Sequence, residues 1–220
     1  MGKLMIGNNI VSPVIVNGSS TPSGTTDVPL TRISDDNGNE IGTWYMNFED
    51  ANGNVFKVVL LDAQYRNAST QWINVSASII NMPSYSDLKN SNIWEAKETA
   101  TQNTQLIVDH CRSKYSSSSA CNHCRSKSFI IGGITYYGQL PNYVEVNYIA
   151  KHYNQFDVLD ISASSQSSLN FSSARAMWTS SQYSSGYCWG MGTSSILSNT
   201  SKTNPNTNYF ACPVLEIPVS

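Results

Sequence analysis

Two runs rich in apolar residues, 41–49 and 55–62, flank the polar stretch Asp50-Ala51-Asn52-Gly53-Asn54. Asn-Gly between such runs predicts an antiparallel hairpin, because tight hairpin turns need residues that accept positive φ. Asp36-Asn37-Gly38 supplies a similar turn ahead of the first run. Residues 73–80, INVSASII, alternate and predict a further strand. Val58, Val59, Leu60 and Leu61 stand in an unbroken apolar row, and such a run asks for cover on both faces of its strand. Residues 28–82 therefore read as a small antiparallel β module of about four strands, with a neighbouring subunit as the expected source of that cover.

Beyond Pro83 the period changes. Ala96, Ala100, Ile107, Val108 and Cys111 fall on one face at helical spacing, and Asn92 with Glu95 offers a capping-box start. Residues 113–122, SKYSSSSACN, predict a loop, and 129–137 a short strand. Leu140-Pro141 predicts a second helix, with Pro at its first position, running to residue 153. Residues 162–173 are a Ser/Asn-rich surface loop. Residues 175–191, RAMWTSSQYSSGYCWGM, and a closing strand over 209–217 complete the chain. At the other end, two short extended runs, 3–6 and 10–16, flank Gly7-Asn8-Asn9 and lead into a Ser/Gly/Pro/Thr linker over 17–27. That apolar segment either docks on another protein or adds a strand to the chain's own sheet. The predicted organisation is a docking segment with linker (1–27), an oligomerising β module (28–82) and an α+β domain (83–220).

Composition narrows the classes. Hydrophobic residues make up 40% of the 220, enough for a real core. Charged residues are 13% against about 25% in ordinary domains, which suits a protein held in an assembly or exposed outside a cell. A net charge of -2 gives no electrostatic footprint for nucleic acid or an anionic membrane. No stretch approaches the ~20 apolar residues of a membrane span. Gly7, Asn8, Asn9 and Pro13 break the N-terminal apolar run, so it is not expected to be a signal peptide and folding in a cytoplasm is expected.

Candidate chemistry is sparse. His110-Cys111 with Cys121, His123 and Cys124 could hold tetrahedral zinc, form a redox or disulfide pair, or be free thiols. Five cysteines argue against a complete disulfide framework, and no metal or other cofactor is expected. Asp157 and Asp160 lack an acid-base counterpart, His152 beside Lys151 reads as solvated, and Glu145 reads as a hydrogen-bonded anchor. Catalysis is not expected. Trp178, Tyr183 and Trp189, set among Ser and Gly, have the composition of adaptable binding surfaces, although core packing would use the same aromatics.

Several short motifs follow one another in the second half of the chain. A helix over 100–111 is followed by Gly138-Gln139-Leu140-Pro141 with Glu145. Then come Met177-Trp178-Thr179-Ser180-Ser181, Tyr187-Cys188-Trp189 and Cys212-Pro213-Val214. Over residues 90–217 this resembles the C-type-lectin-like domains of gut bacterial surface proteins and phage fibres, with Cys212 where that family commonly has Arg. The resemblance implies a fold with two helices and a twisted antiparallel sheet whose long loops present a variable ligand surface. It also places Cys188 and Cys212 near each other, with a disulfide between them left open. Asn204-Pro205-Asn206 lacks the acids that calcium-dependent sugar binding needs and reads as a turn. The front of the chain, GKLMIGNNIVSPVIVNG and the hairpin DANGNVFKVVLLDAQYR, resembles head fibre or capsid-decorating proteins of gut bacteriophages. Together these imply a virion protein made in the host cytoplasm. It would dock on a capsid or fibre protein through residues 1–16, assemble as a homotrimer as phage fibres do, and bind a bacterial surface glycan or protein. The outer surface is expected to carry Trp178, Tyr183, Tyr187, Trp189, Asn204, Asn206, Asn208 and Tyr209, with a core role for Trp178 and Trp189 as the competing reading. The alternatives are an adhesin or pilus-tip subunit on the bacterial surface, or a binding protein diversified by a retroelement.

Overall fold

The computed structural model describes residues 27–67, 70–75, 77–79, 81–83, 96–152, 176–191, 197–202 and 209–219. Strands β1 (Asp27–Ser34), β2 (Glu40–Glu49) and β3 (Val55–Leu61) form an antiparallel meander. Its two turns use the same device. Asp35 Oδ1 accepts from the N–H groups of Asn37 and Asn39 (3.0 and 2.9 Å), and Asp50 Oδ1 from those of Asn52 and Asn54 (2.8 and 2.9 Å). Gly38 and Gly53 supply the positive φ, +82° and +81°, that such turns require. Gly42 on β2 is needed for another reason, since a Cβ there would run into the Leu60 carbonyl of β3. Arg32 of β1 reaches across the sheet to grip both oxygens of Asp62, at 2.7 and 2.6 Å.

The fourth strand of this sheet comes from the far end of the chain. Strand β10 (Val214–Pro218) pairs antiparallel with β3, giving the order β1-β2-β3-β10. The Val58–Leu61 run is therefore covered from within the chain. Val58 and Leu60 face a core with Tyr45, Val144, Met177 and Val214, while Val59 and Leu61 face Ile41 and Leu215, with Phe129 and Tyr136 packed alongside. This run therefore gives no ground for placing a partner subunit over the strand. Sheet and core also run across the boundary drawn at residues 82 and 83, so the segments 28–82 and 83–220 share one interior.

Three helices appear among the described residues where two are expected. Helix α1 (Ala100–Ser113) starts at Thr99, whose hydroxyl accepts from the Gln102 N–H while Gln102 Oε1 accepts from the Thr99 N–H, both at 3.0 Å. The start expected at Asn92 lies outside the described residues. Helix α2 (Ser119–Arg125) replaces the predicted loop: Ser118 caps it, and Ala120, Cys121 and Cys124 form a short apolar face hidden behind a serine run. Helix α3 (Tyr143–Lys151) begins two residues beyond Pro141, with an Asn142–Glu145 capping box.

Between α2 and α3 the expected single strand folds back on itself. Strands β4 (Ser128–Ile131) and β5 (Ile134–Tyr137) pair around Gly132 and Gly133, both at positive φ, and Asp36 accepts from both glycine N–H groups at 2.7 and 2.8 Å. The second four-stranded sheet has the order β8-β7-β6-β9. Strands β6 (Ala176–Gln182), β7 (Tyr187–Met191) and β8 (Leu197–Ser201) are antiparallel, and β9 (Tyr209–Phe210) runs parallel to β6. The strand predicted over 209–217 splits at Cys212-Pro213, where the chain leaves one sheet for the other and Pro213 has no N–H to offer a ladder. No strand forms within the described part of 73–80. Its backbone is answered singly instead, by Lys202 O for Ile73 N–H (3.1 Å) and Ser117 O for Asn74 N–H (3.0 Å). The class is α+β with antiparallel sheets, and no helix among the described residues is long and apolar enough to cross a membrane.

Candidate ligand-binding surface

Four aromatic rings step outward from the interior beside the β6–β7 turn. Tyr143, at the start of α3, meets Trp189 edge-on (5.0 Å, 75°), Trp189 meets Tyr183 (5.1 Å, 82°), and Tyr183 meets Tyr187 (6.5 Å, 83°). Tyr143 and Trp189 are buried, Tyr183 is partly exposed, and Tyr187 is 47% exposed. Edge-to-face contacts suit the ring quadrupoles and fix each ring against the next. Burial pushes the Tyr143 hydroxyl up to about 12, so it stays protonated. The turn itself is closed by the Tyr183 and Ser184 N–H groups, both donating to Tyr187 O at 3.0 Å.

Beneath this surface, the Trp178–Gln182 segment of β6 is sealed by hydrogen bonds. Trp178 Nε1 donates to Thr70 O (3.0 Å), and Trp72 Nε1 donates back to Thr179 O (2.7 Å), so two buried indoles stitch β6 to the chain near residue 71. Thr179 Oγ1 donates to Trp189 O (2.8 Å), the Ser180 N–H donates to Pro141 O (2.6 Å), and Ser181 Oγ accepts from the Tyr143 N–H (2.9 Å). Gln182 Oε1 accepts from the Ile79 N–H (2.8 Å) and from Lys202 Nζ (2.5 Å), and Lys202 also donates to Ala77 O (2.7 Å). Lys202 is fully buried over the Trp72 ring, and burial brings its ammonium down to about 8.

A second buried polar centre joins both sheets' helices. Glu216 of β10 accepts from the Ala100 and Thr101 N–H groups at the start of α1 (2.7 and 2.8 Å), where the helix dipole favours a negative charge. Glu145, wholly buried next to it, accepts from the Asn142 N–H (2.7 Å). Burial pushes both carboxyls up. The α1 N–H groups oppose that on Glu216, so the shared proton resides on Glu145, whose ionisation is further opposed by the Glu216 charge.

The structure separates the residues expected on the outer surface. Tyr187 is exposed and Tyr183 partly so. Trp178 is not on the surface: it is fully buried and stacked on the half-buried Tyr209 (4.3 Å, 29°). Trp189 is likewise interior, as its place in the ring series requires. Asn204, Asn206 and Asn208 lie outside the described residues. All five cysteines are buried and none is in a disulfide. Cys188 sits in the core with Trp178 and Cys212 in the core with Met177, and no disulfide joins them. Burial raises Cys121 to about 12, which removes it from thiolate chemistry at neutral pH. His123 Nε2 lies 2.8 Å from Tyr65 O, and no metal-holding group of three or more His, Cys, Asp or Glu side chains is found among the described residues.

Two partners of the sealed base, Gln182 and Lys202, are not singled out by sequence reasoning. Lys202 carries a signal all the same, as the single basic residue between Ala176 and Val219. Comparison with protein-family models, curated proteins and solved structures finds no match to this chain.

Proposed function

We propose that this chain is a recognition protein without catalytic activity: a lectin-like domain displayed on a bacteriophage virion, as a head fibre or capsid decoration, that binds a bacterial surface glycan or protein. The observation behind this reading is the outward series Tyr143–Trp189–Tyr183–Tyr187, whose last ring is exposed while the first two are locked in the interior. An aromatic already held in place loses little freedom on binding, so more of its contact energy goes into affinity. The sealed hydroxyl and indole bonds under β6 support the same reading, since they leave the β6–β7 turn little freedom to rearrange. Residues 1–16 are the proposed docking segment for a capsid or fibre protein.

Two measurements test the proposal. Mass spectrometry of purified virions should detect the chain as a structural component; its absence from particles that carry its gene would refute the virion assignment. Retention of the pure protein on host cells should fall at least tenfold in Tyr187→Ala with an unchanged melting temperature, because truncating an anchor aromatic costs about 2 kcal/mol or more. Equal retention of Tyr187→Ala and wild type would remove the surface from consideration.

A further inference from the structure

A groove of about 310 Å³ lies between β5, the end of β10 and the first turn of α1. Its size is at the lower end of small-molecule sites (roughly 300–1,000 Å³). It carries two carboxylates, and the oxygens of both are engaged by amide donors of the chain itself. Asp50 accepts from the Asn52 and Asn54 N–H groups and the Asn54 amide, and Glu216 from two α1 N–H groups. Glu216 likewise occupies the positive end of α1, which closes that end to an outside anion. What the groove offers a ligand is uncharged: the rings of Phe56, Tyr136 and Tyr137 beside Thr101, Gln102 and Thr135. Tyr137 is 52% exposed, on the face of the hairpin that also carries exposed Thr135. Gln102 uses its Oε1 in the α1 capping box, which leaves its amide NH₂ outside the box.

We propose that this groove binds a neutral saccharide unit, with Tyr137 as the platform for the C–H face of the sugar ring. Hydroxyls that donate and accept, an amide donor and an aromatic face are the complement of a polyhydroxylated ring without charge. An anionic ligand would meet two carboxylates and no basic side chain among the lining residues. The groove shares no residue with the Tyr183–Tyr187 surface, so it stands or falls independently of that surface.

Saturation-transfer NMR on the full chain, titrated with the methyl glycosides of glucose, galactose and N-acetylglucosamine, tests the proposal. At least one should bind saturably with a millimolar Kd, and Tyr137→Ala should weaken it at least fivefold without lowering the melting temperature. Thr135→Val provides a second variant on the rim and should weaken the same sugar. No saturable transfer from any of the three sugars overturns the proposal, and so does a Kd unchanged in both variants. Loss of binding in Tyr187→Ala alone would assign the sugar to the other surface and overturn it equally.

Discussion

Replacing Glu145 by glutamine is expected to leave the fold intact and to cancel a loss of stability that the wild-type chain suffers as pH rises. The folded chain keeps a proton on Glu145, because burial and the adjacent Glu216 carboxylate disfavour a second negative charge. The unfolded chain releases that proton near the ordinary glutamate value of 4.5. Above that value the unfolded state binds fewer protons than the folded one. The unfolding free energy therefore falls with rising pH until the folded-state proton also leaves. A full proton of difference corresponds to about 1.4 kcal/mol per pH unit. In E145Q the side-chain oxygen still accepts from the Asn142 N–H, and the amide NH₂ takes the place of the acid proton facing Glu216. E145Q should match wild type within about 1 kcal/mol at pH 4.5 and gain on it by up to about 1.4 kcal/mol for each pH unit above. E216Q provides the contrast. It puts a donor where one of the two oxygens accepts from the Ala100 and Thr101 N–H groups, and should cost about 3–5 kcal/mol. Urea unfolding followed by tryptophan fluorescence across pH 5 to 8 gives the three curves. Parallel lines for wild type and E145Q would refute the placement of the proton.

Trp178→Phe loses the indole bond to Thr70 O and should lower stability by about 1–3 kcal/mol while leaving cell retention unchanged; a selective loss of retention would return Trp178 to the binding surface. Lys202 titrates near 8 in the folded chain against 10.5 unfolded, so its contribution to stability rises between those values as the unfolded state binds the extra proton. The stability difference between wild type and Lys202→Met should widen between pH 8 and pH 10, and a constant difference would contradict the assignment. The five buried thiols should resist a thiol reagent in the native protein at pH 8 and all react in urea; rapid labelling of the native chain would contradict their burial.

Local chemistry made part of the fold legible. Asn-Gly flanked by two apolar-rich runs placed β2 and β3 within a residue of their ends, because a turn that needs positive φ leaves few choices. What failed was long-range. The run Val58–Leu61 announced correctly that both faces of β3 are covered, but not by what, and the strand that borders it lies more than 150 residues later in the chain. The alternation in 73–80 is genuine as a pattern, yet the N–H groups of Ile73, Asn74 and Ile79 donate to Lys202, Ser117 and Gln182, partners that no window of local sequence contains. Helix α2 was masked because its apolar face is only Ala120, Cys121 and Cys124, one turn set behind four serines. The candidate surface was legible in residue type but not in depth. Trp178 and Tyr187 look equally suited to contact in sequence, and only the register of β6 against β7 and β9 decides that one is sealed and the other exposed.

The cost of burying Lys202 becomes intelligible through what it holds. A charged amine out of water is expensive unless its donors are all answered. Its two recorded acceptors, Ala77 O and Gln182 Oε1, tie together parts that no ladder connects. The first belongs to a passage with no strand of its own, and the second ends β6 directly before Tyr183. Gln182 Nε2 in turn donates to Met82 O (3.3 Å), and its Oε1 also takes the Ile79 N–H, so Ile79 and Met82 are fixed to β6 directly and Ala77 through Lys202. An apolar side chain of the same volume would fill the space under Trp72 but could not answer the Ala77 carbonyl. The buried ammonium thus substitutes for a missing strand. The position of the passage that carries Trp72, and through the Trp72–Thr179 bond the position of β6, depends on it. Tyr183 and Tyr187 are carried on that base, which is why a residue with no access to any ligand should govern how rigidly the exposed rings are presented.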